Sequence, residues 1–125
     1  MYDVLLICRR CLYEVRFYET TSGRRPVQEF LESLDNKAQA KVATRIELLE
    51  EQGPNLVRPY ADIVRGKIRE LRIEYSSNEY RVLYFFFLKN EIILLHGFKK
   101  KTQELKKNDI EIAEERMKDW IDRRI

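Results

Sequence analysis

Apolar and polar positions along the chain alternate with two different periods. Over residues 13–18, Tyr13, Val15 and Phe17 alternate with Glu14, Arg16 and Tyr18, the period of a half-buried strand. A turn follows, Thr-Thr-Ser-Gly-Arg-Arg at 20–25. Pro26 suits the first turn of a helix, where its missing N–H costs nothing, and Val27, Phe30, Leu31 and Leu34 recur at helical spacing. Ser33 or Asp35 caps a second helix over 36–52, with Ala38, Val42, Ile46 and Leu49 as its apolar stripe. Gly53-Pro54 stops it. Two helices joined this tightly form a hairpin that needs a sheet to pack against. Residues 55–66 show little periodicity and read as a loop punctuated by Pro59 and Gly66.

Three strands are expected next, over 67–75, 80–88 and 91–98. The first alternates Leu71, Ile73 and Tyr75 with Glu70, Arg72 and Glu74; the other two are apolar on both faces, as covered central strands are. Their connections, 76–79 and 89–90, are too short for anything but antiparallel hairpins. A basic loop, Lys99-Lys100-Lys101-Thr102, leads to a last helix beginning near Asn108 or Asp109, with Ile110, Ala113, Met117, Trp120 and Ile121 as its stripe. Glu111, Glu114 and Glu115 near its start and Arg123 and Arg124 at its end suit the helix dipole. The expected class is α+β: a small antiparallel sheet, a two-helix N-terminal hairpin and a C-terminal helix, in one domain over 13–125. Residues 1–12 read as an N-terminal extension. Met1-Tyr2-Asp3-Val4 is echoed by Leu12-Tyr13-Glu14-Val15, and a natural start at Leu12 is expected.

At 125 residues the chain is long enough to bury a core without disulfides or metal. Its mixture of 44% hydrophobic and 36% charged residues is that of a soluble globular protein, expected in the cytoplasm. Cys8 and Cys11 form a lone C-x-x-C with no second pair and no nearby histidine, and read as incidental thiols; no metal or other cofactor is expected. The formal net charge is only +3, but it is uneven: residues 58–107 hold 12 cations against 6 anions. That suits a polyanionic partner, and equally suits lysines solvated on a sheet rim.

Hairpin arithmetic brings part of this charge together. With Lys89-Asn90 as a two-residue loop, Leu88 faces Glu91, Leu83 faces His96 and Arg81 faces Phe98. With Ser77-Asn78 as the other loop, Arg72 faces Leu83 and Glu74 faces Arg81. Arg72, Leu83 and His96 then share a row, with Arg81 one step along on the same face. Each has an ordinary explanation: Arg72 pairs with Glu70 or Glu74, Arg81 neutralises Glu74, and His96 is a packed histidine. Together, two arginines and a histidine beside a triple lysine point to a phosphate site. Metal-free RNA cleavage is chemistry such a face performs. A ribose 2′-hydroxyl attacks phosphorus, a base and an acid move protons, and cations hold the phosphoryl oxygens. Histidine handles protons near neutral pH and arginine grips phosphate. Lysine positions phosphate, or carries a proton if its pKa is depressed, and Arg65, Lys67, Lys99, Lys106 and Lys107 are expected to contact RNA. Tyr75, Tyr80 and Phe98 are candidates to stack on bases, with a core role the commoner one.

The stretches VRFYET…PVQEFLESL, KAQAKVATRIELLEEQGPNLVRPYADI, IRELRI, YRVLYFF and LLHGFKKKT cover most of residues 13–116. In this order and spacing they resemble the HigB branch of the RelE/ParE toxin superfamily, found in phage-derived and host-inhibition-of-growth loci. The resemblance implies a compact α+β fold and ribosome-dependent cleavage of mRNA, with growth arrest through inhibited translation. It also implies a neighbouring HigA-like helix-turn-helix antitoxin, through which the toxin–antitoxin complex binds operator DNA. By motif position it carries over Arg72, Arg81, His96, Lys100 and Lys101. The front extension is a departure from the family. So is the C-terminal helix, which covers the site or packs at an interface. Two other readings stand beside this one: a non-enzymatic ParE-like toxin that poisons DNA gyrase, and a plain RNA-binding module.

Overall fold

The computed structural model describes residues 12–100 and 107–124. The element order is β1 (Glu14–Phe17), α1 (Pro26–Glu32), α2 (Asn36–Gln52), β2 (Ala61–Arg65), β3 (Ile68–Tyr75), β4 (Asn78–Phe87), β5 (Glu91–Lys100) and α3 (Lys107–Asp122). The strands form one sheet in the order β1-β5-β4-β3-β2. β3, β4 and β5 are antiparallel, as expected, and β2 joins them antiparallel to β3; β1 adds at the other edge parallel to β5, so the sheet is mixed.

The central strands are apolar on both faces because both faces are covered. On one side, α1 and α2 bury Val27, Ala38, Val42 and Leu49 against Leu71, Ile73, Val82, Tyr84, Ile92 and Leu94. On the other, α3 packs Ala113 and Trp120 against Ile68, Leu83, Phe85, Ile93 and Leu95. Asp35 caps α2 by accepting the Ala38 N–H at 2.8 Å. Gly53 ends that helix at φ +56, and a Cβ there would run into the Tyr13 ring.

Three expectations are corrected. The 55–66 loop contains β2, an edge strand in which only Ala61 is buried, so its apolar pattern is faint. The β3–β4 turn is Ser76-Ser77, both at positive φ, with Tyr75 opposite Asn78. Pairing therefore shifts by two residues: Arg72 faces Arg81, Glu70 faces Leu83 and Glu74 faces Glu79. A shift of two keeps every side chain on its face, so the apolar pattern does not distinguish the two registers. The β4–β5 connection is Leu88-Lys89-Asn90, with Phe87 rather than Leu88 opposite Glu91. Even so, Leu83 does face His96 and Arg81 does face Phe98, because a bulge at Leu95 restores the lost residue. The bulge keeps Leu95 in the core beneath α3 and puts His96 on the same side.

Gly97 has a packing role: a Cβ there would meet the Phe30 ring of α1 at 2.5 Å. Gly97→Val is expected to destabilise the fold by ~1–3 kcal/mol through overpacking. In urea unfolding, Phe30→Leu should recover part of that loss in the Gly97→Val background; additive losses would show the two sites to be uncoupled.

Candidate functional site

The end of the sheet beside the β3–β4 turn carries the charges that the strand pattern points to. Arg72 and Arg81 are direct partners on β3 and β4, and Phe98 completes their row on β5. The next row is Glu70, Leu83 and His96; on the other side of Arg81, Glu79 faces Lys100. Strand alternation puts all these side chains on the face that α3 covers. The two ordinary pairings weighed for Arg72 and Arg81 resolve onto Glu70 and Glu79 rather than Glu74.

Arg81 is only 1% exposed. Its NH2 donates to Glu79 Oε1 at 2.7 Å and its NH1 to the Tyr80 carbonyl at 3.1 Å. Its Nε lies 3.2 Å from Glu70 Oε1, although the N–H is not aimed at that oxygen, so the contact is coulombic. The other Glu70 oxygen lies 3.9 Å from Arg72 Nε. One carboxylate thus sits between two guanidiniums, and Arg72, with 30% of its side chain exposed, is the more accessible of the pair. Because a buried cation without carboxylates is prohibitively costly, Glu70 and Glu79 are as much part of this site as the arginines. Their place was legible: both stand two residues from an arginine on the same strand face.

His96 is held from α3. Its Nε2 lies 2.9 Å from Asp109 Oδ1, and Arg116 NH1 approaches Nδ1 at 3.4 Å while donating to the Leu95 carbonyl at 2.8 Å. The ring stacks on Phe98 at 5.2 Å. Burial pushes its pKa below the usual histidine value, and Arg116 adds to this against the opposing pull of Asp109. A neutral ring follows at pH 7. Arg116 has only protons to offer, so the hydrogen-bond network assigns the proton to Nε2, donating to Asp109. Asp109 and Arg116 had no signal tying them to His96, since only the packing of α3 brings them there.

The fold brings Arg72, Arg81, His96 and Lys100 to one neighbourhood. Lys99 alternates to the opposite face of β5, beside Tyr80. Arg65 pairs with Glu114 of α3 at 3.2 Å, and Lys67 lies in the β2–β3 turn, roughly 20 Å along β3 from the Glu74–Glu79 row. Lys107 opens α3, 3.9 Å from Glu111. Lys101 and Lys106 lie outside the described residues, as do Cys8 and Cys11. Among the aromatics, Tyr80 is buried in the core, Tyr75 packs against it and Phe98 lies under His96. The exposed aromatic beside Arg72 is instead Tyr60. Among the described residues no group of three or more His, Cys, Asp or Glu is placed to hold a metal ion. No helix among them is long and apolar enough to cross a membrane.

Residues 29–118 match the family described as phage-derived protein Gp49-like. The chain is also 34% identical over 101 residues to a protein of Mycobacterium tuberculosis (strain ATCC 25618 / H37Rv) described as candidate toxin HigB3; the match covers 76% of this chain and 87% of that protein. Together with the five-stranded α+β fold, these matches show that the chain belongs to the Gp49-like family and is a HigB-like toxin of a toxin–antitoxin system.

Proposed function

We propose that this toxin arrests translation by cleaving mRNA on the ribosome, through metal-free attack of a ribose 2′-hydroxyl on the adjacent phosphorus. One observation carries the reading: a histidine oriented by Asp109 shares a sheet face with Arg72, Arg81 and Lys100. In this mechanism His96 Nδ1 takes the 2′-hydroxyl proton, the hydroxyl displacing the Arg116 contact. Asp109 holds Nε2–H and stabilises the imidazolium that forms. The O2′–P bond forms, the P–O5′ bond breaks, and Lys100 or Lys101 supplies the proton to O5′. Arg72 and Lys100 meet the phosphate, and Arg81 is a positioning residue that fixes Glu70 and Glu79. The antitoxin partner is proposed to be a HigA-like helix-turn-helix protein whose complex with the toxin binds operator DNA.

Primer extension on mRNA after addition of purified toxin and ribosomes is expected to show new 5′ ends inside translated regions. No such ends should appear without ribosomes. Intact mRNA alongside accumulating DNA breaks in induced cells would overturn this in favour of gyrase poisoning. Arg72→Ala and Lys100→Ala should each lower the cleavage rate and leave the thermal midpoint nearly unchanged. Arg81→Ala should instead destabilise the fold by ~3–5 kcal/mol, because it leaves the buried Glu70 carboxylate with only the 3.9 Å contact to Arg72; a stable Arg81→Ala protein would refute that placement.

His96 also sets a pH dependence. A base with a lowered pKa is already unprotonated at pH 7, so cleavage should be flat above neutrality and fall as pH drops below the ordinary histidine value of about 6.5. His96→Gln should lose ~10²–10⁴-fold in rate and lose the acid limb with it. An unchanged limb in that variant would assign the base elsewhere.

A further inference from the structure

Beside Arg72, beyond the end of β2, lies a groove of about 250 Å³ lined by Arg45, Pro59, Tyr60, Arg72 and Glu74. It forms because β2 pairs with β3 only as far as Ala61–Leu71; past that point the Arg72 N–H donates to the Tyr60 carbonyl at 2.8 Å. Tyr60 is thereby fixed alongside Arg72 by the backbone itself. The Arg45 guanidinium lies over the Tyr60 ring, 4.6 Å from its centroid, and also donates to the Arg72 carbonyl. Arg45 thus backs one face of the ring and ties α2 to β3. Tyr60 nevertheless keeps 42% of its surface exposed.

We propose that this groove is a nucleobase subsite in which one base of single-stranded RNA stacks on Tyr60 while Arg72 meets the neighbouring phosphate. A rigid, half-exposed aromatic backed by a cation is the platform that single-strand binders use, and every base has a π-face to offer it. Glu74 is the one carboxylate in the lining. It cannot contact phosphate favourably, but it accepts hydrogen bonds from a base edge bearing an amino group, which uracil lacks. The subsite therefore takes a base next to the scissile phosphate and favours amino-bearing bases over uracil. Its link to cleavage rests on the function proposed above; its ability to bind RNA does not.

Fluorescence anisotropy with short labelled RNA oligonucleotides at low salt tests the subsite without ribosomes. Wild-type protein should bind, Tyr60→Phe should bind equally well, and Tyr60→Ala should bind about tenfold more weakly at an unchanged thermal midpoint. Glu74→Gln should narrow the difference between cytosine-containing and uracil-only oligonucleotides. Absent wild-type binding, equal binding by Tyr60→Ala, or equal weakening by Tyr60→Phe would each overturn the proposal. Primer extension on ribosomes separates the two claims. Cleavage by wild type with unaltered binding by Tyr60→Ala sinks the subsite alone. Tyr60-dependent binding without any cleavage sinks the nuclease reading and leaves the subsite standing.

Discussion

A guanidinium that is 1% exposed dictates its own surroundings. Arg81 sits on a central strand, where β3 and β5 occupy both edges and burial takes the charge out of bulk solvent. Burial of such a cation is tolerable only with carboxylates at short range; Glu70 supplies one from β3 and Glu79 the other from β4 itself. Glu70 can serve Arg81 only if β3 and β4 pair with Arg72 opposite Arg81, which is the register the Ser76-Ser77 turn produces. Turn and charge pairing therefore agree, and the same register carries Arg72 to the end of the cluster that stays accessible.

How much of this was legible depends on what each feature leaves in the pattern of residue types. Helix limits were, because Pro26, Asp35 and Gly53 act locally. The covered sheet was, because β4 and β5 are apolar on both faces. The face shared by Arg72, Arg81 and His96 was, because a shift of two residues preserves alternation. The row was not: only closure of the turn separates registers two apart. The His96 row emerged despite a misplaced β4–β5 turn, since the bulge at Leu95 adds back the residue the longer turn removes. No periodicity announces a bulge. β2 stayed hidden because one buried alanine leaves almost no stripe, and Tyr60 stayed hidden with it.

The C-terminal helix resolves a question of cover. Its apolar stripe seats on Leu83, Phe85, Ile93 and Leu95, and the same packing delivers Asp109 and Arg116 to His96. The acidic start that suits the helix dipole therefore has a second consequence. Asp109 fixes which imidazole nitrogen carries the proton, and burial by the helix lowers the pKa. A histidine left on an open sheet would keep an ordinary pKa and rotate freely. Covering it costs access but gains a defined tautomer, and Nδ1 is left with only the longer Arg116 contact.

Charge balance then separates the roles within the cluster. Arg81 is neutralised at short range on two sides, so a phosphate approaching it would have to displace both Glu79, held at 2.7 Å, and the largely buried Glu70. Arg72 is different: its contact with Glu70 is 3.9 Å and its side chain is partly exposed, so a phosphate can outbid a weak pairing without exposing a buried charge. The two arginines, indistinguishable in the alternation of their strands, are therefore distinct in kind. One is enclosed by carboxylates and the other is open to an incoming anion. The position of Tyr60, bonded through its carbonyl to the Arg72 N–H, places the aromatic platform beside the accessible arginine rather than the buried one.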